Sequence, residues 1–96
     1  MIKPGIPAKK LFENCEVVLG RKMLHGLGHG IGLLVHDFPG SISAKSDWNL
    51  MENMALAIEP GIYEKEWGGI RTEDNVLVTK SGFKRLTFNP KKLIEL

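Results

Sequence analysis

The chain has 96 residues, 43% hydrophobic and 25% charged, with a formal net charge of +2 and a single cysteine. That length admits one domain with a modest core, and the basic pairs Lys9-Lys10, Arg21-Lys22 and Lys91-Lys92 are too scattered for a nucleic-acid partner. Cys15 alone excludes an internal disulfide and suits a reducing compartment; no apolar run reaches membrane-spanning length and "MIKPGIPAKK" lacks a signal-peptide core, so a cytoplasmic protein with no membrane partner is expected.

The first predicted element is a helix. Pro7 suits its first turn, Leu11, Phe12, Cys15, Val18 and Leu19 recur at the spacing of one apolar face, and Gly20 is placed to end it. Cys15, on that face, is expected in the core. "LLVHDF" is apolar and β-prone and is expected to be extended, followed by a polar loop over "SISAKSDWN" after Pro39-Gly40. "MALAIEPGIY" alternates, with Met54, Leu56 and Ile58 facing one way and Ala55, Ala57 and Glu59 the other, before Pro60-Gly61 turns the chain. Tyr63 is expected to pack at a strand end. "GGIRTEDNVLVT" also alternates, putting Arg71, Glu73 and Asn75 on one face, and "KSGFKRL" reads as a hairpin turn into a short last strand. The tail "NPKKLIEL" has weak helical or strand tendency, and Trp48 and Trp67 fall in or beside loops. The sum is an α+β fold: one leading helix, then antiparallel strands joined by tight turns.

The stretch "HGLGHGIGLLVHD", residues 25–37, holds three histidines. His25 and His29 are four apart, as in a helical zinc pair, yet glycine fills every second position from Gly26 to Gly32 and opposes a helix. An extended segment is the better reading: residues four apart still share a face, and glycines let a ligand or a second backbone come close. His36 lies an odd number of positions further on and requires a bulge or bend to join them. His29, Glu59 and Glu73 sit in strand-like apolar surroundings, where unpaired charge is costly to bury. Two neighbouring carboxylates would repel. A divalent cation held by one imidazole and two carboxylates resolves that conflict, and an internal ion pair with Arg71 is the other resolution.

"HGLGHGIGLLVHD", "AIEPGIY" and "GGIRTEDNVLVT", in this order and spacing, resemble the C-terminal half of the pita-bread metallopeptidases, closest to the prolidase and aminopeptidase P branch that cleaves Xaa-Pro bonds. The resemblance runs over roughly residues 1 to 88. It implies half of a pita-bread fold, with a leading helix on a curved antiparallel sheet, residues 1–96 forming the C-terminal portion of a catalytic domain. It also implies roles. His29, Glu59 and Glu73 match metal ligands, Glu59 also taking part in proton transfer. His25 and His36 match histidines that contact substrate and the developing tetrahedral intermediate, so that His36 counts with Glu59 as catalytic. Arg71 matches an arginine that orients substrate. The implied cofactor is divalent Mn, Co or Zn, as one ion or none in this chain, and the implied chemistry is attack of an activated water on a peptide carbonyl.

The departures carry expectations too. The family's site draws two further aspartate ligands from an N-terminal half, and Asp37, Asp47 and Asp74 lie outside that motif. The expected partners are therefore a peptide substrate if the site is completed, and either a second copy or a complementing chain, since half a fold leaves open sheet edges and apolar surface. A non-catalytic dimeric binding or scaffold module is the alternative function. Asp37 stands where many members carry Glu, and Asn53 where they carry Gly, a mild change because Asn tolerates positive φ.

Overall fold

Pro7 and Gly20 bound the single helix, α1 (Ala8–Leu19), in the computed structural model, which describes all of residues 1–96. Pro7 is extended at φ −62°, ψ 133°, and Gly20 adopts the left-handed φ 66°, ψ 18°. That turn lets the Gly20 and Arg21 N–H groups donate to the Val17 and Glu16 carbonyls and close the helix end. Ala8, Leu11 and Phe12 are buried and Cys15 is half-buried, its Sγ 3.9 Å from Met23 Sδ. Val18 does not join them: it is 85% exposed, and Glu16 occupies a buried place instead. The Glu16 carboxylate can lie there because Lys22 Nζ (2.7 Å) and the Met23 N–H (3.0 Å) donate to it. The Lys22 hydrogen bond, then that from Met23, holds its carboxyl below the ordinary glutamate value.

Seven strands follow: β1 (Gly28–Gly30), β2 (Asp37–Ile42), β3 (Ala55–Ile58), β4 (Gly61–Glu64), β5 (Gly68–Arg71), β6 (Asp74–Thr79) and β7 (Gly82–Arg85). Five make one sheet in the order β2-β1-β3-β6-β7, while β4 and β5 form a separate hairpin; every pairing is antiparallel. The alternation of "MALAIEPGIY" is realised as expected, with Leu56 fully buried and Met54 and Ile58 packed against the core. Leu27, Ile42, Leu50, Leu56, Val76 and Val78 form that core with Ala8, Leu11 and Phe12 of the helix. The expected α+β architecture is the observed one.

Three local expectations are corrected. Leu33, Leu34 and Val35 are not a strand: they bend outside the sheet, 103%, 66% and 73% exposed, and β2 begins only at Asp37. The strand that pairs with β1 is the less apolar "DFPGSI", which runs through Pro39-Gly40 into the stretch expected to be loop. Here β-propensity yielded to the short reach of β1, whose third residue Gly30 already pairs with Asp37. "GGIRTEDNVLVT" is two strands, because Thr72 and Glu73 break it where the chain passes from the hairpin to the sheet. The tail after Asn89 is exposed and has no regular structure.

The N-terminal segment is stitched to the middle of the chain. Gly5 N–H donates to Leu50 O (2.8 Å), Leu50 N–H to Ile6 O (2.8 Å) and Ala8 N–H to Trp48 O (3.0 Å), and Trp48 packs on the core. Asn53 has φ 70°, the left-handed conformation expected at that position.

Candidate active site

Strand register brings the motif residues together. His29 pairs with Ser41 on β2 and Ala57 on β3, and Ala57 pairs with Asn75 on β6, so these side chains form a row across the sheet. Glu59, two residues after Ala57, extends from the same strand. The glycines flanking His29 have steric work. A Cβ built at Gly28 would collide with the Ala57 carbonyl, and one at Gly30 with the Phe38 carbonyl, so the neighbouring backbones occupy the space a side chain would need. Between His29 and Gly30 the partner on β2 jumps from Ser41 to Asp37, so the bulge lies in β2, and residues 31–36 make the bend that His36 requires.

The result is a cluster of four side chains. The His29 and His36 rings lie 4.1 Å apart between centroids, tilted by 43°. His29 Nε2 is 3.6 Å from Glu59 Oε1, and Arg71 Nη1 is 3.8 Å from Glu59 Oε2. His29 and Glu59 are mostly buried, with side chains 12% and 18% exposed, whereas Arg71 reaches in from an exposed strand. His29 Nδ1 lies 2.9 Å from the Gly30 carbonyl and donates to it, so that in the neutral ring Nε2 is an acceptor facing a carboxylate oxygen. Two acceptors in that relation call for a proton or a cation.

His25 belongs to a second, adjacent pair. Its Nδ1 donates to the Gly26 carbonyl (2.6 Å), so Nε2 accepts from the Tyr63 hydroxyl (2.9 Å), and the two rings meet edge to face. Sequence reasoning had Tyr63 only as strand-end packing. No spacing signals this contact, because His25 and Tyr63 lie 38 residues apart and Tyr63 belongs to the separate β4–β5 hairpin.

Glu73 stands apart. It lies in the exposed break before β6, forms no ion pair, and no three His, Cys, Asp or Glu side chains gather as metal donors anywhere in the chain. Ligands bonded at 2.0–2.2 Å in a tetrahedral shell are about 3.4 Å apart, so the His29–Glu59 separation of 3.6 Å suits two ligands of one ion. The third donor is missing. By themselves the residues present do not fit a complete metal shell.

Residues 1–80 match the model of metallopeptidase family M24. The chain belongs to this family. Among M24 relatives, the Xaa-Pro dipeptidase of Pyrococcus horikoshii is 44% identical over 97 residues, which cover 96% of this chain and 27% of that protein. The Xaa-Pro dipeptidase of Lactobacillus delbrueckii subsp. lactis is 43% identical over 96 residues, covering 95% of this chain and 26% of that protein. The solved prolidase of Pyrococcus horikoshii OT3 superposes with a TM-score of 0.85 at 45% identity, over 96% of this chain and 28% of that one. An Xaa-Pro dipeptidase from Bacillus anthracis gives 0.89 at 38% identity, over 99% and 28%. The M24 likeness thus holds at the level of fold as well as sequence, and the chain spans about a quarter of the length of the curated relatives it matches.

Proposed function

We propose that this chain is part of the catalytic unit of a metal-dependent, cytoplasmic Xaa-Pro peptidase, the part that follows an aspartate-bearing half. The observation that carries the reading is His29 Nε2 facing Glu59 Oε1 at 3.6 Å, with the His36 ring beside that of His29. In this reading His29 and Glu59 are ligands for divalent Mn, Co or Zn, Glu73 joins them by turning in from its exposed position, and further residues from outside the chain complete the shell. Glu59 holds or moves a proton at Oε1 while Arg71 anchors its other oxygen. His36 donates to the substrate carbonyl as charge develops on its oxygen, and His25, held by Gly26 and Tyr63, contacts substrate beside it. The substrate is a peptide with proline after the scissile bond, a reading that the similarity to Xaa-Pro dipeptidases supports.

Titrating the purified chain with Mn²⁺, Co²⁺ and Zn²⁺ and assaying Xaa-Pro dipeptides tests this. Metal-dependent turnover that Glu59→Gln abolishes is the expected outcome, with the chain alone or together with a chain carrying the aspartate half. No turnover and no bound metal under any of these conditions would overturn it.

A second reading is favoured by the exposed Leu33, Leu34, Val35 and Phe38: a non-catalytic, dimeric binding or scaffold module. Peptide binding that survives both chelator and Glu73→Ala would favour it over catalysis. A twofold dimer serves either reading, and a compact monomer in sedimentation at micromolar concentration would count against it.

A further inference from the structure

The loop from Ile31 to His36 carries the second histidine of the stack, yet little of the chain holds it. Leu33, Leu34, Val35 and His36 are all exposed, and the His36 ring makes no hydrogen bond of its own. Residues this apolar, in contact with water on most sides, do not fix a loop by burial. Apart from two backbone bonds, Ile31 N–H to Ala55 O at 2.9 Å where the loop leaves β1 and Gly32 N–H to Leu34 O at 3.1 Å, the tie comes from a single side chain. Asp37 Oδ2 accepts from the Leu34 N–H at 3.2 Å and Asp37 Oδ1 from the Phe38 N–H at 2.7 Å, so one carboxylate bridges both sides of His36. The carboxylate also covers Gly32: a Cβ built there would collide with Asp37 Oδ2. The Phe38 N–H, then that of Leu34, holds the Asp37 carboxyl below the ordinary aspartate value, as an anion accepting backbone donors should be.

We propose that Asp37 is a positioning residue whose carboxylate, seated over Gly32 and bonded to the backbone on both sides of His36, holds the His36 ring against His29. It touches no reacting group; it acts through His36. Its importance to catalysis rests on the peptidase reading above, but the positioning itself does not, and the two can fail separately.

The test is by NMR on the full chain at neutral pH, where NOEs between the His29 and His36 ring protons report the stack directly. In Asp37→Ala these NOEs are expected to vanish, while the methyl shifts of core residues Leu56 and Val78 stay in place. Gly32→Ala displaces the carboxylate from the opposite side without removing it and is expected to weaken the same NOEs. Asp37→Asn keeps one acceptor oxygen and so restores part of their intensity over Ala. A merely structural role would shift the core signals with the loop and show no graded recovery in Asn. Undiminished His29–His36 NOEs in either Asp37→Ala or Gly32→Ala would overturn the proposal. Should Asp37→Ala fail to fold, Gly32→Ala and Asp37→Asn decide it alone. If the NOEs behave as expected and the chain shows no peptidase activity with any metal or partner, the positioning stands and the functional reading falls.

Discussion

On the helix side of the sheet, Leu56, Val76 and Val78 share one closed cluster with Leu11 and Phe12; beyond the opposite end of β1, Leu33, Leu34 and Val35 are as apolar and lie in water. The two regions have nearly the same composition and opposite burial. Hydrophobicity therefore does not decide which residues are inside; a covering element does. Where α1 supplies the cover, the chain is packed. Where nothing in the chain supplies it, the apolar residues are held by polar bonds, and the functional side chains collect beside them.

Substitutions should divide along that line. The largest effect belongs to the closed side. Leu56→Ala removes a fully buried side chain and should cost about 2–5 kcal/mol in denaturant unfolding. Next comes acid. Glu16, Asp37 and Asp74 each have a carboxyl held below its ordinary value: Glu16 chiefly by Lys22, Asp37 by the Phe38 N–H, Asp74 by Lys91. A carboxyl depressed in the folded state stabilises it above the unfolded value and loses that contribution as protons bind. The thermal midpoint should hold steady near neutrality and fall below about pH 5, and Glu16→Gln should lower the neutral plateau and flatten part of the fall. The smallest effect on folding belongs to the open side. Leu33→Ser should change stability by no more than about 0.5 kcal/mol, while lowering the weight-average mass in sedimentation if this surface joins two copies. A Leu33→Ser loss as large as that of Leu56→Ala would erase the distinction between the regions.

Legibility in the sequence follows the same division. The bounds of α1 at Pro7 and Gly20, the alternation about Leu56 and the closing hairpin into β7 were readable because local chemistry and tertiary packing agree there. Asn53 was readable for the same reason. "LLVHDF" misled because its apolar run predicts burial that nothing in the chain provides, and Val18 misled because Glu16, bonded to Lys22, took the buried place. At the site, periodicity put Glu59 on the face of Ala55 and Ala57, the resemblance joined it to His29, and the odd spacing of His36 called for a bulge or bend. Periodicity could not locate the break at Thr72–Glu73, because an alternating pattern carries no mark of where a chain leaves one sheet for another. Nor could it show the Asp37 bridge, which is formed with backbone groups and leaves no periodic trace.

The stitching of Gly5, Ile6 and Ala8 to Trp48 and Leu50 sets the order in which this chain can assemble. Within this chain the helix is made before the strand that seats its apolar face and the segment that pins its entry, so until those residues emerge α1 lacks the partners it docks on here. Contacts this distant in sequence favour slow, concerted folding over a hierarchy that starts at the N-terminus. Cutting the chain before Trp48 would therefore leave the entry of α1 unpinned and part of its apolar face uncovered.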